Sequence, residues 1–232
     1  MESSKEILKI ENLTLKIGNT EILKDISFEV NKKEIIALLG PSGSGKSSLL
    51  KTINMLNTAS GGCIRYNGKD TSEIVPMDLR KKIGYVLQRA TLFGNFVLDN
   101  LKYPYELHKK VFDMNLVEFY LEKVNLKPDI LGKKPSELSG GEQQRISLIR
   151  TLLMEPEIIL LDEVTSALDE ENTVLIEKLI KYENENNNVT VVFISHNNEQ
   201  AKRLAHKVIY MEEGVIKEFT KASTFFEERV TK

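Results

Sequence analysis

Apolar and polar residues alternate from Ile7 to Val30 on either side of Gly18-Asn19, most clearly through Leu13-Thr14-Leu15-Lys16-Ile17. A period of two predicts an antiparallel pair of strands. Gly62 to Lys69 predicts a second hairpin, with Asn67-Gly68 as its turn. Four other runs are apolar almost without a break: Glu34–Leu39, Lys82–Leu87, Glu157–Leu161 and Val189–Ile194. Strands covered on both faces, as in parallel sheets, read this way. Helical spacing takes over elsewhere. Leu49, Leu50, Ile53 and Leu56 share one face, and Phe112, Leu116, Phe119, Tyr120 and Val124 share another, in a helix closed by Lys127-Pro128. Ile146, Ile149, Leu152 and Leu153 mark a helix ended by Pro156. An acidic helix runs to about Tyr182, followed by a polar loop, Asn184 to Asn188. A helix, a strand, a Glu213-Gly214 hairpin and a terminal helix, Thr224 to Thr231, complete the pattern, while Met77 to Lys82 is short and charged.

Between the first two hairpins lies Gly40-Pro41-Ser42-Gly43-Ser44-Gly45-Lys46-Ser47, followed by Ser48. It fits the phosphate-binding loop G-x-x-x-x-G-K-[ST], and it stands where that motif must, after a strand and before a helix. Glycines let several backbone N–H groups converge on an anion, and the helix dipole adds to their field. Lys46 is placed to reach the β- and γ-phosphates of a nucleotide, and the Ser47 hydroxyl to take a position on Mg²⁺.

Other candidates stand at strand ends, where ligands gather in open α/β sheets. Asp162 suits Mg²⁺, which prefers oxygen ligands and few protein carboxylates. Glu163 is placed to polarise an attacking water. His196 can donate to the γ-phosphate, and Gln88 can touch Mg²⁺ or water. Leu138-Ser139-Gly140-Gly141-Glu142 offers a second anion cradle at a helix start. One triphosphate needs one cradle, so a second suggests that two chains share each nucleotide.

The chain has 232 residues, a formal charge of −2 and one cysteine, Cys63. The charge argues against a general nucleic-acid binder, and a lone cysteine permits no internal disulfide, so a cytoplasmic, reducing setting is expected. The start, Met1 to Glu6, is polar, and no apolar run approaches the ~20 residues of a membrane span.

In order, Gly40–Ser47, Gln88, Leu138–Gln143, Ile158–Glu163, Ser166-Ala167-Leu168-Asp169 and His196 resemble the nucleotide-binding subunit of ATP-binding cassette (ABC) transporters over essentially the whole chain. The resemblance implies an α/β fold: a P-loop NTPase core with a parallel sheet, an N-terminal antiparallel β subdomain, and a helical subdomain inserted between Gln88 and the Leu138–Glu142 motif. As one nucleotide-binding domain, residues 1–232 would divide into a core of about 1–88 and 139–232 and a helical part of about 89–138. It implies ATP and Mg²⁺, a homodimer formed on ATP binding, and a separate transmembrane permease that holds the chain at the cytoplasmic face of the membrane. In such a dimer Ser139, Gly140 and Gly141 of one copy close on the phosphate held by Lys46 of the other, and Asp169 signals across the interface.

Two positions depart from the family pattern. No aromatic residue stands between Glu11 and Ser27, where the family stacks a ring on adenine, and Val164 replaces the usual proline after the catalytic glutamate. Gln88 to Gly94, Asp99-Asn100-Leu101, Ile146 to Arg150 and Glu163 to Glu170 are similar to the ATPases of iron-export (FetA-type) cassettes and also to phosphate importers. A soluble cassette ATPase without a permease, and a regulatory module without turnover, are the alternatives from other classes. Ala90 to Leu98 is apolar, yet Gly94-Asn95 is a turn signal. Leu92, Phe93 and Phe96 are therefore not expected to be buried together, and this loop is expected to meet the permease.

Overall fold

Two sheets organise the computed structural model, which describes residues 6–230. The polar start, Met1 to Lys5, and the expected end of the last helix at Thr231 lie outside the described residues. One sheet is antiparallel, built from β1 (Glu6–Ile17), β2 (Thr20–Asn31), β4 (Gly61–Tyr66) and β5 (Lys69–Asp70) in the order β2-β1-β4-β5. The other contains β3 (Ile35–Leu39), β6 (Ile83–Val86), β7 (Ile158–Asp162), β8 (Thr190–Ile194), β9 (Lys207–Glu212) and β10 (Val215–Lys221) in the order β10-β9-β3-β8-β7-β6. Its β6, β7, β8, β3 and β9 are parallel neighbours, and β10 is antiparallel to β9.

Successive strand residues face opposite ways, and the core divides accordingly. Ile36, Leu38, Ile158, Leu160, Val192 and Ile194 join α1 (Lys46–Ile53) and the antiparallel sheet in one apolar cluster. Ala37, Leu39, Ile159, Leu161, Val191 and Phe193 face the other way. Against them pack α3 (Val97–His108), α4 (Met114–Lys123), α5 (Gly140–Leu152), α6 (Glu170–Asn186), α7 (Asn198–Leu204) and α8 (Ala222–Val230). The helices α3 and α4, with two short 3₁₀ turns, fill the stretch between Gln88 and the Leu138–Glu142 motif.

Several boundaries differ from the sequence pattern, each for a local reason. The first helix stops at Ile53, because the Asn54 side chain leaves the helix to donate to the Ile83 carbonyl; Leu56 lies beyond it, half-exposed. Phe112 precedes α4, whose N-terminus is set by the Asp113 carboxylate accepting from Leu116 N–H. Asn184 belongs to α6, not to a loop: it is buried and its amide donates to the Lys33 and Val189 carbonyls. Met77–Lys82 forms most of α2 (Pro76–Lys82), with Pro76 in the first turn, where its missing N–H costs nothing, and Leu79 anchoring the helix in the core.

Candidate active site

Strand register brings the site together. Val86, Leu161 and Phe193 are aligned across β6, β7 and β8. Two residues further along each strand stand Gln88, Glu163 and Ser195, with His196 next. The side chains meet there. Gln88 Nε2 donates to Glu163 Oε2 across 2.7 Å, and His196 Nε2 lies 2.9 Å from Glu163 Oε1. Glu163 itself adopts a left-handed backbone, φ 51°, which turns the chain sharply after β7. The Ser166 N–H and hydroxyl both close on its carbonyl at 3.1 and 2.8 Å. Val164, in the place of proline, is buried in the core, and the three polar groups still converge.

One strand position earlier, Asp162 is 3% exposed and held at both oxygens. Ser47 donates to Oδ1 across 2.8 Å and Tyr85 to Oδ2 across 2.6 Å. Burial and the adjacent carboxylate push the Tyr85 phenol far above its ordinary range, so it is a donor at any working pH.

The phosphate loop joins β3 to α1 on the same edge. Gly40, at φ 137°, has no room for a side chain, since a Cβ would stand 1.9 Å from the Met211 carbonyl oxygen. Gly43, at φ 80°, faces open space, with nothing within 4 Å of an added Cβ. Pro41 and Ser42 are exposed on the loop, Ser44 is buried, and the Ser48 carbonyl accepts from Thr52 Oγ1 at 2.7 Å. Lys46, 5% exposed, folds onto its own loop. Its ammonium donates to the carbonyls of Gly40 and Pro41 at 2.9 and 2.8 Å, and to Ser44 Oγ at 3.3 Å. Burial holds this ammonium below the usual lysine range, with Glu163 and Asp162 pulling the other way.

This set fits a phosphate chain and a hard cation. No acidic residue occupies the first turn of α1, so its amides face an anion unopposed. A serine hydroxyl, an amide and a carboxylate supply the oxygen donors that Mg²⁺ prefers.

The second cradle stands apart. Hydrogen bonds of Ser139 and Gly141 run to Glu142, Gln143 and Arg145, and among the described residues none from Ser139, Gly140 or Gly141 reaches Gly40–Ser47. The Ser139 N–H donates to Glu142 Oε2 at 2.8 Å, as part of a capping box. Asp169 caps α6 through Asn172 N–H at 2.8 Å. Arg145 reaches both places, donating to the Gly141 carbonyl at 3.2 Å and to Asn172 Oδ1 at 2.6 Å.

The sequence pattern did not single out Tyr85, Arg145, Asn172 or Gln144. The last donates to the Leu87 carbonyl at 2.8 Å and ties α5 to the end of β6. Only Tyr85 carried a signal, as the one polar-tipped side chain on the face of β6 that meets α1. The other three depend on contacts between distant segments.

Residues 23–166 match the model of a family described as "ABC transporter". Over 212 residues, 91% of this chain and 94% of the relative, the sequence is 37% identical to "Probable iron export ATP-binding protein FetA" of Escherichia coli (strain K12). Over 238 residues, 97% of this chain and 92% of the relative, it is 36% identical to "Phosphate import ATP-binding protein PstB" of Saccharolobus solfataricus. Among solved structures, "Dimeric structure of a post-hydrolysis state of the ATP-binding cassette MJ0796 bound to ADP and Pi" is similar at a TM-score of 0.84 and 29% identity, covering 93% of this chain and 99% of that one.

Proposed function

This chain belongs to the ABC transporter family as an ATP-binding domain, and on that premise we propose that it hydrolyses ATP with Mg²⁺ and energises a separate permease. The convergence of Gln88, Glu163 and His196 beside Asp162, Ser47 and the phosphate loop carries this reading.

Ser47, Asp162 and Gln88 would hold Mg²⁺, which when bound screens the charge on the phosphate oxygens. Lys46 then exchanges the carbonyls of Gly40 and Pro41 for phosphate oxygens, so its buried charge gains an anionic partner. Glu163 orients the attacking water and accepts its proton. His196 holds Glu163 from the side at which the terminal phosphate would lie, and can donate to that phosphate. Among the described residues the phosphate loop and the Ser139–Gly141 cradle share no hydrogen bond, which supports a dimer. In it, each cradle closes on the nucleotide of the other copy and Asp169 meets the partner's loop.

Residues 1–232 act as one domain in this reading. Among the described residues no helix is long and apolar enough to cross a membrane, and attachment to the cytoplasmic face runs through the permease. Two exposed rings near Gln88, Phe93 and Phe96, supply the attachment surface. Iron export is the cargo favoured by the Gln88–Gly94 and Glu163–Glu170 segments. Phosphate import is the second reading, supported by similarity to the phosphate import protein over 97% of this chain.

Lys46→Ala tests the site. It is expected to lose ATP binding while remaining folded; nucleotide affinity equal to the parent's would overturn the assignment. Efflux of iron against uptake of phosphate, measured with the co-purified permease, separates the two cargoes.

A further inference from the structure

The Ser139–Gly141 cradle and the loop that ends in Asp169 touch each other within one chain. A Cβ added to Gly141 would stand 3.0 Å from Leu168 Cδ2. Arg145 lies one turn further along α5 and is 8% exposed. Three acceptors on three segments hold its guanidinium. Nε donates to the Gly141 carbonyl at 3.2 Å, and Nη1 to the Val124 carbonyl at 3.0 Å and to Asn172 Oδ1 at 2.6 Å.

Asn172 passes this hold on. With Oδ1 taken by Arg145, its Nδ2 donates to both oxygens of Asp169, each at 2.9 Å. A side-chain amide has one accepting and one donating end, and here a cation meets the first and an anion the second. Turned the other way, it would set N–H against guanidinium and oxygen against carboxylate. The Asn172 N–H and amide also hold the Asp169 carboxyl below its ordinary range, so this exposed group is presented as an anion.

We infer that Arg145 is a positioning residue that, through Asn172, locks the Ser139–Gly141 cradle and the Asp169 loop into one unit. The inference rests on the two-copy reading above and deepens it. In that reading both segments face the other copy, so a fixed spacing between them lets one docking event satisfy both. A lysine in place of Arg145 brings a single ammonium, which cannot reproduce a planar fork spread over α5, the end of α4 and α6. Among the described residues, the hydrogen bonds of Arg145 and Asn172 reach neither the phosphate loop nor Glu163.

The test uses the whole chain with Glu163→Gln as the parent, so that ATP is retained. ATP affinity is measured at protein concentrations too low for pairing, and the ATP-driven dimer constant by sedimentation. Asn172→Leu removes both ends of the amide but keeps the N–H that Asp169 caps at 2.8 Å, so α6 keeps its start. Its single-copy ATP affinity is expected to equal the parent's, and its dimer to weaken about tenfold, the scale of one hydrogen bond to a charged group. Asn172→Asp keeps the acceptor for Arg145 and sets a carboxylate against Asp169; it is expected to weaken the dimer at least as much. Arg145→Lys combined with Asn172→Leu is expected to cost no more than the larger single effect, because both break one chain of contacts. A parent-like dimer in both Asn172 variants overturns the inference and leaves the phosphate site intact. Effects of Arg145→Lys and Asn172→Leu that simply add overturn the relay. Failure of the parent itself to pair with ATP overturns the two-copy reading.

Discussion

His196 Nε2 and Glu163 Oε1 stand 2.9 Å apart, while Gln88 occupies the other oxygen of the same carboxylate at 2.7 Å. Each Glu163 oxygen therefore has one neighbour and keeps one lone pair on which a water can be held. In the proposed site a terminal phosphate entering the loop would offer His196 a second acceptor, and its hold on Glu163 would loosen as the nucleotide arrives.

Glu163→Gln keeps the shape of this contact and removes the base. Hydrolysis is expected to slow by about 10² to 10⁴, the usual worth of a positioned base, with ATP still bound. The two-copy complex should then accumulate, since the terminal phosphate that each cradle closes upon is retained. Size-exclusion chromatography with ATP checks this, and a strictly monomeric variant at high protein concentration would count against a shared site.

In the proposed site the first hairpin would lie against the adenine base. Ile17 is 57% exposed at the end of β1, whereas Leu15 is 2% exposed in the core. Only Ile17 can therefore take a ring toward the nucleotide. Ile17→Tyr is expected to tighten ATP binding, by less than the ~1–3 kcal/mol of a full base–aromatic stack because the site is partly solvated. Leu15→Tyr should instead overfill the sheet and lower the melting temperature. An unchanged ATP affinity in Ile17→Tyr means that another group already covers the base.

The catalytic edge was legible because it is written locally. Continuous apolar runs end in Gly40, Gln88, Asp162 and His196, and a parallel sheet has only one edge on which such ends can meet. Leu56 and Phe112 were read into helices because periodicity does not sense a cap. Asn54 and Asp113 end and begin those helices through single side-chain contacts. Tyr85 offers only its polar tip as a signal, since its partner lies 77 positions away. The Glu142 carboxylate accepts from the Ser139 N–H, a capping contact that the glycine-rich pattern alone does not reveal.

Stability should respond to pH through Glu183. This buried carboxylate accepts from the Tyr120 hydroxyl at 3.1 Å and from Asn187 Nδ2 at 2.8 Å, yet burial outweighs both and raises its pKa. A carboxyl with a raised folded pKa is protonated in the folded chain before the unfolded one. Its burden on stability is thus full above the folded pKa, and it lifts as pH falls through that value toward the unfolded one. Glu183→Gln carries no charge to bury, and the Tyr120 hydroxyl can turn to accept from its amide. The variant is expected to melt above the parent at about pH 8, with the gap closing toward about pH 4 as the parent's carboxyl protonates. A gap that stays constant across this range would remove Glu183 ionisation as its cause.

The rings at the surface make the last prediction. Leu92 packs against the core, but Phe93 and Phe96 are 43% and 48% exposed on either side of Gly94. Asp99 fixes the turn by accepting from the N–H groups of Asn95 and Phe96 at 2.8 and 2.9 Å. The rings are therefore displayed by a built turn and not left out by loose packing. Phe93 meets the Tyr103 ring edge-on at 5.2 Å, with the Arg150 guanidinium over it at 5.4 Å. Since Tyr103 and Arg150 also line a groove beside Tyr85, the two surfaces are continuous. An apolar patch of this kind usually marks a partner surface. Phe96→Asp touches none of those contacts and should leave the fold and basal ATP hydrolysis unchanged while abolishing co-purification with the permease. Phe93→Asp should do the same with some loss of stability, because it leaves Tyr103 without its edge-on partner. Retained co-purification in both variants would move the permease contact elsewhere, and unfolding of both would return the rings to the core.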